Sequence, residues 1–129
     1  MKLLIGLGMA AIAGAALFAA AAPTIAQTGP AAAPPAFAAC RACHTVTMGG
    51  RNGIGPNLHG VVGRAAATAP GFIYSPALKA SKLRWDEKTL NDYLAAPGKK
   101  VPGTRMPIAT PDPAKRAAII AYLKSEGGK

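Results

Sequence analysis

Cys40-Arg41-Ala42-Cys43-His44 decides how this chain is read. The pattern C-x-x-C-H is the attachment site of a c-type haem. On a helix each residue advances by about 100°, so Cys40, Cys43 and His44 project from one side. Two thiols one turn apart can add to the vinyl groups on one edge of a porphyrin. The adjacent imidazole then stands over the iron as a ligand. These are the only two cysteines in the chain. Three other readings remain open from the pentapeptide alone. A thioredoxin-like pair wants a βαβ setting that the surrounding sequence does not offer. A structural zinc site needs four ligands, and only His44 and His59 are present to complete it, with His44 too close to Cys43 to close a tetrahedron easily. A disulfide would span a very short loop and leave His44 without a purpose.

The N-terminus reads as an address. Lys2 supplies a positive start, and Leu3 to Ala22 is almost entirely Ala, Gly, Leu and Ile. Thr24-Ile25-Ala26 then offers small residues for cleavage before Gln27, so residues 1–26 are expected to be a signal peptide. Export suits covalent haem attachment, which in bacteria follows secretion, and puts the mature chain in the periplasm. An apolar run of about 20 residues would also span a bilayer if left uncut, so a membrane-tethered form is the alternative. Residues 27–35 are rich in Pro and Ala and read as a flexible lead-in.

The rest is one small domain, 36–129, with few large apolar residues: Phe37, Phe72 and Trp85, with Tyr74, Tyr93 and Tyr122. A chain of this size struggles to bury enough apolar surface by itself, and a haem would supply the missing core. The formal net charge of +10 favours acidic partners or anionic surfaces. Nucleic acid is excluded as a partner by the absence of any helix-turn-helix, zinc-finger or aromatic-basic strand pattern.

Glycines crowd the stretch 45–63, which is loop composition, and no strand-like alternation runs anywhere. A short helix is expected from about Ala36 through Cys43. Ser75-Pro76 opens another, with serine as cap and proline in the first position. Asp86 caps a third that places Leu90, Tyr93 and Leu94 on one face and stops before Pro97-Gly98. The last begins at Asp112-Pro113, with Ile119, Tyr122 and Leu123 inward and Lys115, Arg116 and Lys124 towards water. The expected fold class is all-α, several short helices and Gly-rich loops around one covalent haem. For a second iron ligand the candidates are His59, Met48 and Met106. Met48 is too near His44 to reach over the other haem face, and His59 lies in an open loop. Met106 sits in the proline-bracketed run Pro102-Gly103-Thr104-Arg105-Met106-Pro107, and spacing favours it.

Further matching text follows the pentapeptide in order: Gly55-Pro56-Asn57-Leu58-His59-Gly60, Gly63-Arg64, Pro70-Gly71-Phe72-Ile73-Tyr74-Ser75, Trp85, Leu90 to Pro97, Pro102 to Met106 and Ala121-Tyr122-Leu123-Lys124. With these, the chain resembles the class I c-type cytochromes, bacterial relatives of the mitochondrial protein, over roughly residues 37–125. The resemblance implies a small cytochrome c fold with one haem c attached through Cys40 and Cys43. It implies His44 and Met106 as iron ligands, and the Pro56 carbonyl as acceptor for the other ring N–H of His44. It puts the Tyr93 hydroxyl near the Met106 sulfur, and Arg64, Tyr74, Trp85 and Thr104 at the haem propionates. It also implies a non-enzymatic, monomeric one-electron carrier. Its partners would be acidic docking surfaces of membrane redox complexes: a cytochrome bc complex, a terminal oxidase or a reaction centre. Lys82, Lys99, Lys100, Arg51 and Arg105 are candidates for the facing basic rim. A haem subunit of a redox enzyme is the alternative. Two departures stand out. Ala33 occupies a slot that is usually glycine, and Pro34-Pro35 truncates the N-terminal helix. Leu78 stands where the mitochondrial protein has an asparagine, which makes that pocket more apolar.

Overall fold

The computed structural model describes residues 31–127; the expected signal peptide and the start of the lead-in lie outside them. Five helices follow in order: α1 (Ala38–Arg41), α2 (Pro76–Ser81), α3 (Glu87–Ala95), α4 (Pro97–Lys100) and α5 (Pro113–Glu126). Among the described residues no strand forms, and a single antiparallel bridge joins Ala65 to Arg84. None of the helices is long and apolar enough to cross a membrane.

Local chemistry sets the helix starts. Ser75 Oγ accepts from the Leu78 N–H at 3.1 Å and Pro76 takes the first position of α2. Asp86 Oδ1 accepts from Thr89 N–H at 2.7 Å to open α3. Asp112 Oδ1 accepts from Ala114 and Lys115 N–H groups at 2.8 and 3.3 Å to open α5. Each cap satisfies donors that the first helical turn leaves without partners. α2 ends at Lys82, whose φ of 53° is left-handed.

The N-terminal helix is as short as Pro34-Pro35 requires. A 3-10 turn over Pro35–Phe37 leads into the single turn of α1. This turn starts on Pro35 because proline suits a first helical position, where its missing N–H costs nothing. Phe37 is wholly buried, with its ring 4.8 Å from Tyr122 of α5 in an edge-on contact. Ala33 also packs against the core, so the lead-in is docked there. The core joins Phe37, Ile119, Tyr122 and Leu123 to Leu90, Tyr93, Trp85 and Val101. α3 and α5 pack together to form its helical half, with an ion pair between Lys124 and Glu87 at the surface.

α4 was not expected. Pro97-Gly98 reads as a stop signal, yet Pro97 begins a new turn, because proline is excluded only from helix interiors. The turn carries Lys100 back to α3, where its ammonium lies 3.2 Å from Asp92 Oδ2.

Candidate haem site

One cavity of about 570 Å³ opens between the loops and the α3–α5 half. The ten residues that the resemblance puts at the haem all line it: Cys40, Cys43, His44, Pro56, Arg64, Tyr74, Trp85, Tyr93, Thr104 and Met106. Met48 does not line it and is largely exposed. Neither does His59, which is half-buried with Nδ1 3.1 Å from the Val46 carbonyl.

On one side the attachment motif is held by its own turn. The Cys43 and His44 N–H groups donate to the Cys40 carbonyl at 3.1 and 2.9 Å. Both thiols are free, and burial pushes the Cys40 thiol above its ordinary range, keeping it protonated. Among the described residues no cluster of three His, Cys, Asp or Glu side chains forms, so a zinc site has no set of ligands there. His44 Nδ1 donates to the Pro56 carbonyl at 2.7 Å. A carbonyl can only accept, which fixes the proton on Nδ1 and leaves the Nε2 lone pair for a metal. Burial lowers the His44 pKa, opposed by that hydrogen bond, and so favours the neutral ring a ligand needs.

The loop beyond His44 is folded tightly onto it. Gly55 N–H donates to the Cys43 carbonyl at 2.8 Å, and a Cβ at Gly55 would run into the His44 imidazole. Only glycine permits that approach. Asn57, to which the sequence assigned no role, is the hub. Its Nδ2 donates to Thr45 Oγ1 at 2.7 Å and to the Thr47 carbonyl at 2.9 Å, while its Oδ1 accepts from His59 N–H at 2.8 Å. Asn52 spans two loops, accepting from Asn57 N–H and donating to the Pro70 carbonyl, each at 2.9 Å. Their longer-range partners, Thr45, Thr47 and Pro70, leave no mark in the local sequence.

Arg64 donates from Nη1 and Nη2 to the His59 and Asn57 carbonyls at 3.0 and 3.1 Å. Among the described residues its buried Nε has no partner, and no acidic side chain lines the cavity. The Tyr74 hydroxyl oxygen accepts from Ala69 N–H at 2.9 Å, which leaves its proton free to donate. An unpaired cationic N–H in an apolar cleft is costly unless a bound anion meets it. The cavity therefore fits a flat apolar group bearing carboxylates, and haem has that chemistry.

Met106 borders the same cavity from the loop after α4. The Thr104 hydroxyl accepts from the Met106 N–H at 3.4 Å and lies 2.6 Å from the Tyr93 hydroxyl. Tyr93 and Thr104 are therefore spent first on each other, and burial raises the Tyr93 pKa, opposed by the Thr104 bond, keeping it neutral. Trp85 packs against Tyr93 in a tilted contact, with ring centroids 4.9 Å apart. Leu78 lines the cavity as well, an apolar wall.

A covalent haem site on a small all-α scaffold defines a c-type cytochrome. The family model for cytochrome c matches residues 11–126. The chain is 53% identical over 94 residues to cytochrome c2 iso-2 of Magnetospirillum fulvum, covering 72% of this chain and 97% of that one. It is 50% identical over 97 residues to cytochrome c2 of Rhodoblastus acidophilus, covering 72% and 91%. The solved structure of cytochrome cH from Methylobacterium extorquens superposes with a TM-score of 0.65 at 52% identity, covering 69% of this chain and 90% of that one. The chain belongs to the cytochrome c family. Its cofactor is one haem c, covalently attached through Cys40 and Cys43, and its work is electron transport.

Proposed function

We propose that the chain is a periplasmic one-electron carrier with iron held between His44 and Met106, exchanging electrons with acidic surfaces of membrane redox complexes. The observation that carries this reading is a single apolar cavity bordered by both side chains and by the unpaired Arg64 Nε. Haem c, when bound, supplies a one-electron Fe(III)/Fe(II) couple. His44 offers Nε2, oriented and made more basic through Pro56. Met106 offers a soft thioether, which favours Fe(II) and so a comparatively high potential. Arg64, Tyr74 and Trp85 would hold or neutralise the propionates, and the apolar walls keep water out.

With His44 and Met106 both holding the iron, O₂ and peroxide would find no open site, which favours carriage over catalysis. Docking would use exposed Lys82, Lys99, Arg51 and Arg105. Lys100 is a weaker member of that rim, being half-buried and paired with Asp92. Steering by such a rim suits weak, fast encounters. The membrane-tethered alternative turns on residues 1–26, outside the described residues.

The optical spectrum of the oxidised holoprotein tests the reading. The weak red charge-transfer band of a methionine–Fe(III) pair is expected in the wild type and lost in Met106→Ala. High-spin haem in the wild type would overturn it. Turnover with a terminal oxidase is expected to drop about tenfold or more with added salt; salt-independent rates would remove the rim.

A further inference from the structure

Arg116 lies on a face expected to meet water, and its guanidinium is put to another use. Nε donates to Asn91 Oδ1 of α3 at 2.8 Å. Nη1 donates to the carbonyls of Thr110 and Pro111 at 2.9 and 2.6 Å. The Thr110 N–H in turn donates to the Leu94 carbonyl of α3 at 2.7 Å. One side chain thus joins α5, α3 and the far end of the segment that bears Met106. Thr110 itself lines the haem cavity. Between the two residues, Pro107 has no N–H to give and Ile108 is 52% exposed. The stretch is therefore suspended from its ends, Thr104 on one side and Thr110 on the other.

The placement of a cation here has its own cost. Arg116 sits near the start of α5, where the helix dipole disfavours positive charge and Asp112 at the cap is the acidic residue at hand. Three acceptors offset that disadvantage. A lysine could not replace it fully, since only a planar fork spans a side-chain amide on one flank and two carbonyls on the other.

We propose that Arg116 is a positioning residue for Met106: by fixing Thr110 and Pro111 against α3, it sets how often the thioether leaves the iron. The proposal rests on Met106 as the axial ligand. Losing Arg116 removes charge-assisted hydrogen bonds at one end of the suspended segment, while the other axial ligand, His44, keeps its own network.

The test uses oxidised holoprotein, with cyanide as the probe of an open sixth position. In Arg116→Ala, cyanide association is expected to accelerate about 10- to 100-fold, with Arg116→Lys in between. Amide hydrogen exchange at Thr110 is expected to rise in parallel, while the Leu58 amide, bonded to the Thr45 carbonyl, stays at its wild-type rate. Wild-type cyanide kinetics in Arg116→Ala would overturn the proposal, as would equal acceleration at Thr110 and Leu58, which would mean general loosening. Should Arg116→Ala fail to fold, Asn91→Ala removes the Nε acceptor and leaves α5 intact. It is expected to speed cyanide binding by a smaller factor, and no change there would overturn the proposal. Absence of the methionine charge-transfer band in the wild type would instead overturn the Met106 assignment, and the proposal with it. A wild-type band with unaltered Arg116 variants would overturn the proposal alone.

Discussion

The two loops that border the haem cavity are built differently. The loop from Thr45 to Gly60 is cross-braced by side chains: Thr45, Asn52, Asn57 and Arg64 each bond backbone or side-chain groups inside it. Gly55 brings its backbone against the His44 ring, and Pro56 fixes the ring's tautomer. The loop from Val101 to Asp112 carries Met106 with far fewer ties. Thr104 N–H reaches the Val101 carbonyl at 3.0 Å, Met106 N–H makes a long bond to Thr104 Oγ1, and Thr110 is pinned to Leu94 and Arg116. Opening the first loop would break many of these bonds together, so it is expected to open less readily than the second. The second can open locally. His44 is thus placed by the fold, and Met106, the ligand proposed opposite it, by a few contacts at two ends of a short span.

The largest effect expected from a single change lies under the braced side. Phe37 is fully buried one residue before α1, and Phe37→Ala is expected to cost about 3–5 kcal/mol in equilibrium unfolding. The methionine band should persist up to that global transition. If it disappears well before unfolding, the two loops share their anchor and the contrast fails. Next come Asn57→Ala and Thr104→Val, which separate stability from ligation. Asn57→Ala removes three side-chain bonds and is expected to cost about 2–3 kcal/mol with the band preserved. Thr104→Val removes the partner of Tyr93 and the acceptor for Met106 N–H, at about 1–2 kcal/mol, with a weakened band. The larger stability loss should accompany the smaller spectral change; the reverse order would refute the contrast.

Much of this architecture was legible in the sequence because its causes are local. Ser75, Asp86 and Asp112 cap within three residues of themselves, and Pro34-Pro35 limits the first helix by backbone geometry alone. The ordered motifs were enough to bring ten side chains to one cavity. What escaped was tertiary. Asn57 and Asn52 look like ordinary loop asparagines until their partners up to 18 positions away are in place. Sorting helix faces by polarity sends Arg116 to water. That rule misses a guanidinium whose stem lies along the protein while its head bonds carbonyls. Lys100 was placed on the docking rim because the turn of α4, which folds it onto Asp92, begins at residues that read as a stop.

The smallest effect concerns acid, and it acts on the loosely held side. The Asp86 carboxyl is held below its ordinary range first by its bond from the Thr89 N–H, and Asp92 by the ammonium groups of Lys88 and Lys100. A carboxylate whose pKa is lowered by folding stabilises the fold fully above its unfolded value. That contribution fades as pH falls through the folded value. Asp86 caps α3 and Asp92 lies within it, and the same helix supplies Tyr93, Asn91 and Leu94 to the Met106 loop. Acidification should therefore weaken the methionine band before Leu58 and His59 amides lose protection. Asp92→Asn should be slightly less stable than wild type at neutral pH, a difference that salt reduces because Lys88 and part of Asp92 face solvent. The two proteins should converge once the pH lies below the lowered Asp92 value. A difference that persists there would mean that Asp92 acts through packing, and would remove α3 charge as a link to the labile side.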